Sequence, residues 1–258
     1  GIDGADVATI GKPEQYTAVT YPESLNNDVA WEVIDFTGKA TIDQNGLLTP
    51  ISAGKVIIKV TSTQNRDLTA LRLITINEPE KINVNTLNVK LSATLYTYDG
   101  KVKKPTVTVT DADGKKIASS NYTVSYASGR KLPGTYTVKI TMKGNYTGAK
   151  TLTFAIRGKQ MSVSKLTALS KDFKATWAKQ SYVTGYQVQY STSSKFTAKT
   201  TKTATIAKYT TTSKTVTKLK ASAKYYVRVR NYKTTKIGAK SYNVYSAWSK
   251  AKTVTTKK

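Results

Sequence analysis

The side chains that could do chemistry in this chain are carboxylates, hydroxyls and amines, because its 258 residues include no cysteine and no histidine. Disulfides, thiolate and imidazole metal sites, Ser-His-Asp triads and Cys-His pairs are therefore excluded. Two carboxylates at the right separation would suffice for glycoside hydrolysis. Eleven of the 15 acids lie in residues 1–80, among them Asp28, Glu32, Asp35 and Asp43. We interpret these acids as solvated strand faces and turn caps, and we predict no catalytic residue.

One short segment has the composition of a calcium loop: residues 111–114 are Asp-Ala-Asp-Gly. An EF-hand loop needs glycine at its sixth position and a bidentate acid at its twelfth. Counted from Asp111, those positions hold Lys116 and Tyr122, so we predict a hairpin turn and no metal site. Serine and lysine are too abundant to indicate a hydrolytic dyad. Glycine-rich phosphate motifs are absent from the sequence, so we predict no cofactor.

Apolar and polar residues alternate along most of the chain, most clearly at 122–126, 136–142, 152–156 and 186–190. The turn-forming pairs between such stretches are Asn45-Gly46, Asp99-Gly100, Asp113-Gly114, Ser128-Gly129 and Pro133-Gly134. One apolar and one polar face indicate antiparallel sheets with one face in water, as in a sandwich. The predicted fold class is all-β, with three tandem immunoglobulin-like or fibronectin-like β-sandwich domains in an elongated array.

Two short breaks in the alternation, at residues 77–81 and 157–160, divide the chain. They predict domains at 1–80, 81–158 and 159–258, joined by semi-rigid linkers. The formal charges of these segments are −5, +10 and +21, an asymmetry that supports separate modules. No apolar run approaches the roughly 20 residues of a membrane-spanning helix. We expect no membrane span and a monomeric chain.

The first predicted domain carries a recognisable pattern. It consists of Asp-Val-Ala-Trp-Glu at 28–32, Ala-Thr-Ile-Asp-Gln-Asn-Gly-Leu-Leu at 40–48 and Ser-Ala-Gly-Lys-Val-Ile-Ile-Lys-Val-Thr at 52–61. On these residues the domain resembles the bacterial immunoglobulin-like group 2 domain. The resemblance implies that Trp31 is the core tryptophan, Asn45-Gly46 a hairpin turn and Ala53-Gly54 a bend before the next strand. Members of that family are repeated modules of bacterial surface proteins and adhesins.

The second predicted domain combines strand and turn motifs with Pro105. The motifs are Tyr-Thr-Tyr-Asp-Gly-Lys at 96–101, Asn-Tyr-Thr-Val-Ser-Tyr at 121–126, Gly-Thr-Tyr at 134–136 and Lys-Gly-Asn-Tyr-Thr-Gly at 143–148. This pattern resembles an Ig-like tandem-repeat sandwich module common in exported proteins of Gram-positive anaerobes.

The third predicted domain has Trp177 in its second strand and Gly-Tyr-Gln-Val-Gln-Tyr-Ser at 185–191 as its third. Leu219 precedes Tyr225, and Trp248-Ser249 with Thr-Val-Thr at 253–255 gives the last strand. These features resemble the fibronectin type III domain. The resemblance implies a tyrosine corner, in which the Tyr225 hydroxyl bonds a backbone group near Leu219. We predict a loop between the last two strands, around residues 234 to 242, and it has no Arg-Gly-Asp, so the integrin-binding role of some animal relatives is not implied.

The 17 tyrosines could form a stacking platform for sugars or single-stranded nucleic acid. Most alternate with polar residues and therefore point inward. We predict core positions for Tyr122, Tyr126, Tyr136, Tyr186, Tyr190 and Tyr225. We predict exposed positions for Tyr226, Tyr232, Tyr242 and Tyr245.

The third domain holds 22 lysines and arginines against a single acid. Solvated lysines that keep sheet edges from pairing explain part of this excess. We interpret the rest as a sign of a partner, which we expect to be an anionic cell-wall polymer such as teichoic acid or a host or glycan surface ligand. Nucleic acid fits the charge but not the domain types, so we expect none.

These observations predict a non-enzymatic, extracellular structural or adhesion segment of a bacterial cell-surface or secreted protein. Its basic carboxyl-terminal domain would hold it to anionic wall polymers. Because the chain starts at Gly1 without methionine, we expect a processed piece of a longer exported protein. A carbohydrate-binding or spacer region attached to a secreted glycan-degrading enzyme is the alternative, and a basic nucleic-acid binder is a third possibility.

Overall fold

The computed structural model describes residues 1–20 and 28–258. The chain forms two compact units, Gly1–Ile82 and Asn83–Lys258. Within the described residues the helical segments are two single 3₁₀ turns, Val84–Thr86 and Ser119–Asn121, and everything else regular is strand. None of these residues forms a helix that is long and apolar enough to cross a membrane. The all-β prediction is confirmed.

The first unit is one β-sandwich. Its strands are β1 Ile2–Asp3, β2 Val7–Thr9, β3 Glu14–Gln15, β4 Thr17–Ala18, β5 Val29–Asp35, β6 Lys39–Ile42, β7 Leu47–Ser52, β8 Gly54–Ser62 and β9 Thr69–Asn77. The main sheet has the order β2-β9-β8-β5 and the smaller one the order β3-β7-β6. The buried residues between the sheets include Tyr16, Trp31, Leu48, Ile58 and Ile74. Trp31 is therefore a core residue, as its position in the family pattern implies.

The predicted turns of this unit are confirmed. Between β6 and β7 the Gly46 N–H donates to the Asp43 carbonyl over 3.1 Å, which closes the hairpin. Gly46 has a φ of 82°, in the left-handed region that favours glycine. The chain then bends at Ala53 and enters β8 at Gly54. These turns fix the register that places alternate residues of β7 and β8 in the core.

The second unit begins with a sandwich between residues 83 and 157. The two-residue strand β10 Ile82–Asn83 falls on the boundary between the units, and the strands that follow are β11 Asn88–Leu91, β12 Leu95–Thr97, β13 Val107–Thr110, β14 Tyr122–Tyr126, β15 Gly134–Met142, β16 Tyr146–Thr147 and β17 Ala149–Arg157. The larger sheet has the order β12-β17-β15-β14, and β11 pairs with β13. Val138, Ile140, Phe154 and Ile156 are fully buried. The predicted alternation along β14, β15 and β17 is confirmed.

The rest of the second unit is another sandwich. Its strands are β18 Val163–Leu169, β19 Asp172–Trp177, β20 Gly185–Ser191, β21 Thr201–Ile206, β22 Ser213–Val216, β23 Lys224–Ile237, β24 Lys240–Tyr245 and β25 Lys252–Thr255. One sheet has the order β18-β19-β22, and the other has β21-β20-β23 with β24 and β25 both paired to β23. The core between them contains Phe173, Trp177, Tyr186 and Val229. A three-stranded sheet packed on a five-stranded sheet forms a sandwich of the kind that the fibronectin type III resemblance implies.

The two sandwiches of the second unit are hydrogen-bonded to each other. Asn231 is 1% exposed, and its Nδ2 donates to the Lys159 carbonyl over 2.8 Å. A Cβ at Gly158 would lie 2.1 Å from the Asn231 Oδ1, so only glycine fits here. The Thr135 N–H donates to the Thr235 hydroxyl over 3.1 Å. The first bond thus ties the linker to the third sandwich and the second ties the two sandwiches to each other, while the three-domain boundaries stay predictions.

The last strand differs from its prediction. Trp248 and Ser249 lie outside β24 and β25, in a segment that interrupts the edge of the sheet. The expected loop from 234 to 242 is instead a hairpin, because β23 continues to Ile237 and turns at Gly238, whose φ is 58°. The two strands pair from Tyr232–Tyr245 to Ile237–Lys240, and about half of the paired residues are Thr, Tyr, Val or Ile, which favour strands.

The predicted placement of the tyrosines is confirmed for the six core positions, each of which is buried or packed against a core. It is wrong for Tyr232, which is 6% exposed. Tyr232 lies in the middle of the long hairpin rather than at a strand end. Its ring packs against Tyr245, with the ring centroids 5.9 Å apart. Tyr226, Tyr242 and Tyr245 are half-buried.

The predicted tyrosine corner is present. The Lys220 N–H donates to the Tyr225 hydroxyl over 3.3 Å, one residue beyond Leu219. The Tyr225 ring packs in the core beside Phe173 and Tyr190, with centroid distances of 6.1 and 6.4 Å. The hydroxyl therefore ties the loop before β23 to the core.

Replacing Tyr225 by Phe removes the acceptor and leaves the Lys220 N–H unpaired. We expect this change to lower the free energy of unfolding by about 1 kcal/mol. The matched change Tyr226→Phe, on the opposite face of β23, should cost less than about 0.5 kcal/mol. Urea titrations of both variants measure the difference, and equal losses would show that the corner bond does not stabilise the domain.

Candidate functional site

The acids considered for catalysis have structural partners. The Asp43 Oδ1 accepts the Asn45 and Leu47 N–H groups, each over 2.9 Å, and so caps the β6–β7 turn. Glu32 lies 3.5 Å from the Lys59 ammonium, and the Asp35 Oδ1 accepts the Ala40 N–H over 3.4 Å. Asp28 is exposed immediately before β5, where its main-chain carbonyl accepts the Thr63 hydroxyl over 3.0 Å. These are the solvated faces and turn caps that the sequence predicts.

The Asp111 loop is a turn. Its Oδ1 accepts the Asp113 N–H over 3.1 Å and the Lys115 N–H over 2.8 Å. Thr110 and Lys116 form an antiparallel bridge across it. The carboxylate is therefore occupied by backbone donors, and the predicted hairpin turn is confirmed. In residues 1–20 and 28–258 no group of three or more acids is arranged to hold a metal ion.

A stack of aromatic rings and guanidinium groups covers the outer face of the β23 sheet. We call it the arginine stack, and it consists of Phe196, Arg228, Trp248, Arg230 and Tyr245. The Arg228 guanidinium carbon lies 3.9 Å from the Phe196 ring centroid and 4.9 Å from that of Trp248. The Arg230 carbon lies 4.2 Å from Trp248 and 3.9 Å from Tyr245. Each guanidinium is thus held between two rings, a cation–π geometry worth about 0.5–2 kcal/mol per contact.

Two polar rows fix the stack from the side. The Arg228 Nε donates to the Gln189 Oε1 over 2.7 Å, and Gln189 donates in turn to the Thr203 hydroxyl over 3.2 Å. Arg230 donates through Nε and Nη2 to the Gln187 Oε1 over 2.9 and 2.7 Å. Gln187 then donates to a threonine of β21 over 3.1 Å. The glutamine side chains therefore bind the edges of the planar guanidinium groups, and the aromatic rings pack on their faces.

The local sequence explains how Trp248 reaches this face. Ser246 and Ser249 are buried, and their hydroxyls accept the Asn231 and Val229 N–H groups over 3.1 and 3.0 Å. The Ser246 and Ser249 N–H groups donate back to the same β23 residues over 3.0 and 2.9 Å. The two serine hydroxyls thus accept the β23 N–H groups that the main-chain carbonyls of a paired strand would otherwise accept. The chain between the serines leaves the sheet and lays the indole across the arginines.

Phe196 is held in an unusual backbone conformation. Its φ is 51°, which a bulky side chain rarely adopts and which costs on the order of 1–3 kcal/mol. The Phe196 N–H donates to the Ser193 carbonyl over 3.1 Å, so a tight turn imposes this geometry. The turn brings the ring onto Arg228 and completes the stack.

The stack carries two positive charges without a carboxylate partner. The single acid of residues 159–258 is Asp172, which begins β19 in the other sheet. Burial lowers the pKa of the Arg228 and Arg230 guanidinium groups from their usual value, because charge is less favourable away from water. The stack can therefore stabilise the fold and attract anions.

The stack is not predicted from the sequence, which places Arg228 and Arg230 in one strand and Trp248 in the next. A usable signal is nevertheless present: an Arg-x-Arg pair on one strand face, followed by two serines three residues apart with a tryptophan between them.

Comparison with known proteins supports the assignment of the first unit. Residues 6–71 match the family model of the bacterial Ig-like domain, group 2, which confirms the resemblance inferred for that segment. No match was found among curated proteins. The repeat-module resemblance of residues 81–158 stays a prediction.

Two solved structures align over the whole chain. The FN1–FN3 domains of chicken CNTN1 are 14% identical, with a TM-score of 0.35, over 100% of this chain and 98% of that one. Domains A168–A170 of titin are 15% identical, with a TM-score of 0.29, over 100% of this chain and 97% of that one. TM-scores this low do not indicate a shared arrangement of domains.

Replacing Arg230 by Lys keeps the charge but removes the planar group that both rings and Gln187 contact. We expect a loss of about 1–2 kcal/mol in the free energy of unfolding. The control Arg66→Lys makes the same chemical change at an exposed position of the first unit and should cost less than about 0.5 kcal/mol. Urea unfolding followed by tryptophan fluorescence compares them, and an unchanged midpoint for Arg230→Lys would contradict the structural role of the stack.

Proposed function

We propose that the chain is a non-enzymatic structural and adhesion segment of a bacterial cell-surface or secreted protein. Its third sandwich holds the protein to anionic polymers of the cell wall. The match of residues 6–71 to a bacterial Ig-like domain family supports the first part of this proposal. The observation that carries the second part is the charge of residues 159–258, with 22 basic residues and one acid.

Part of this charge is concentrated at one end of the third sandwich. We call this group the basic end, and it consists of the exposed residues Lys171, Lys218, Lys220 and Lys257. Backbone contacts hold these loops together, because the Lys171 N–H donates to the Lys257 carbonyl over 3.1 Å. The Leu219 N–H, between Lys218 and Lys220, donates to the Lys171 carbonyl over 2.8 Å. The basic end lies where β18 finishes, at the opposite end of the sandwich from the linker.

Little within the domain neutralises these lysines. Asp172 uses its Oδ1 to accept the Lys218 N–H over 3.1 Å. In the described part of the chain the ion pairs are Lys59–Glu32, Arg72–Asp6 and Lys103–Asp99, all outside the third sandwich. The lysine ammonium groups are therefore available to a partner.

A polymer with a negative charge on every repeat suits such a surface. Many weak contacts between mobile lysines and phosphates add up without a shaped pocket, and they weaken as salt screens them. The Debye length falls from about 10 Å at 0.1 M salt to about 3 Å at 1 M. Binding of this kind is therefore sensitive to ionic strength and to the position of the lysines.

The first experiment titrates the full chain with purified teichoic acid at low and high salt. We expect saturable binding near 0.05 M salt and none at 1 M, because screening removes the attraction. A variant with Lys171, Lys218, Lys220 and Lys257 changed to Gln should bind at least about tenfold more weakly at low salt.

The matched control makes the same change in net charge on the first unit, where Lys12, Lys39, Lys55 and Arg66 are replaced by Gln. This control should bind within about twofold of the unchanged protein. Equal weakening of the two variants, or binding that is indifferent to salt, would contradict an attachment through the third sandwich.

The non-enzymatic part of the proposal has its own test. The chain should show no hydrolysis of glycans, peptides or esters above the buffer rate, because it contains neither histidine nor cysteine and its acids cap turns or face solvent. Turnover that survives repurification and disappears when one acid is changed would refute it.

A further inference from the structure

A polar cleft of about 310 Å³ lies between the two sandwiches of the second unit. Its walls come from the linker, from the loop between β19 and β20, and from the loop after β12. The lining residues used below are Tyr98, Lys159, Lys179, Gln180, Ser181 and Tyr182. This volume is at the lower end of the range for small-molecule sites, about 300–1,000 Å³, and suits one sugar ring with its substituents.

Two tyrosine rings form one wall of the cleft. The centroids of Tyr98 and Tyr182 are 5.9 Å apart and the rings meet edge to face at 61°. Tyr182 is 51% exposed and has a φ of 65°, in a region that bulky residues rarely occupy. Residues held in such conformations cluster at ligand clamps. An exposed aromatic ring held this way offers an apolar face to a ligand.

The remaining groups of the cleft are hydrogen-bonding or positively charged. Lys179 lines the cleft, and its ammonium lies 5.2 Å from the Tyr209 ring centroid. Lys159 is exposed on the linker, and Gln180 and Ser181 bring an amide and a hydroxyl. The lining contains no carboxylate. The cleft therefore favours a hydroxylated ligand with a negative charge.

The cleft is held in shape before any ligand arrives. The Lys159 carbonyl is fixed by Asn231, and the Gln160 Nε2 donates to the Trp248 carbonyl over 2.6 Å. The Thr135–Thr235 hydrogen bond joins the two sandwiches nearby. A preformed cleft loses less conformational freedom on binding, which favours even a small ligand.

We propose that this cleft binds a single saccharide unit that carries a phosphate or carboxylate. The sugar ring packs on Tyr182, its hydroxyls bond Gln180 and Ser181, and its negative group pairs with Lys179 and Lys159. This site is separate from the basic end and needs a shaped ligand, whereas the basic end needs a chain of charges.

The experiment uses nuclear magnetic resonance on the full chain, with the amide signals of Lys159, Gln180 and Ser181 as reporters. Three probes are added separately: glucose 1-phosphate, glucose and inorganic phosphate. We expect saturable shifts at the reporters with glucose 1-phosphate, and at least about fivefold weaker binding of the other two, because each lacks half of the recognised chemistry.

Matched variants locate the site. Tyr182→Ala should weaken glucose 1-phosphate binding about fivefold or more through loss of stacking, and Lys179→Gln about threefold through loss of charge. Tyr242 and Lys240 form a comparable pair outside the cleft, with the ammonium 5.5 Å from the ring. Tyr242→Ala and Lys240→Gln should leave binding unchanged.

Several results would overturn the proposal. They are the absence of saturable shifts, equal binding of glucose or phosphate, or equal losses in the two pairs of variants. None of these variants changes the basic end, so failure here leaves polymer binding intact. Conversely, failure of teichoic acid binding leaves the cleft result standing.

Discussion

The alternation of side chains along β23 is the constraint on which the second unit depends. One face of this strand buries Tyr225, Val227 and Val229, and the other places Arg228 and Arg230 in the arginine stack. Because the period is two residues, the core and the stack cannot change register independently. A slip by one residue would bring guanidinium groups into the core, where an unpaired charge costs several kcal/mol. The register of β23 that buries the apolar face therefore also determines which residues form the arginine stack.

Alternation and turn chemistry are also what made most of the fold predictable. Both are local, so the strands around Trp31, Val138 and Tyr186 and the Asn45-Gly46 hairpin could be inferred from neighbouring residues. The tyrosine corner could be predicted only from the fibronectin type III resemblance. That resemblance implies a side-chain contact to the backbone of a loop, which the alternation of residues does not indicate. The match of residues 6–71 to a family model rests on the same kind of local signature.

The features that escaped prediction depend on residues far apart in the chain. Trp248 leaves the sheet because two serine hydroxyls replace carbonyl acceptors, and spacing alone does not distinguish such serines from strand residues. Tyr232 is buried because β23 extends beyond the expected strand end and meets Tyr245. The cleft beside Tyr182 is lined by residues of the linker and of both sandwiches, which lie far apart in the chain. Each of these outcomes is decided by tertiary contacts that override local preference.

The third sandwich uses its positive charges in two different ways. Its arginines are held between rings and glutamines, as planar groups with several donors allow. Its lysines stand on flexible stems at the surface and keep their hydration. The arginine charges therefore contribute to a rigid face, whereas the lysine charges can adapt to a partner of irregular shape.

Gly158 and Asn231 also determine how a pulling force would pass through the second unit. Tension along the chain would load the Asn231–Lys159 and Gln160–Trp248 hydrogen bonds before the linker could lengthen. Because both anchors attach to β23 and the segment beside it, the load enters the third sandwich through its most extensively paired strand. We therefore expect this joint to transmit tension between the two sandwiches and not to act as a hinge.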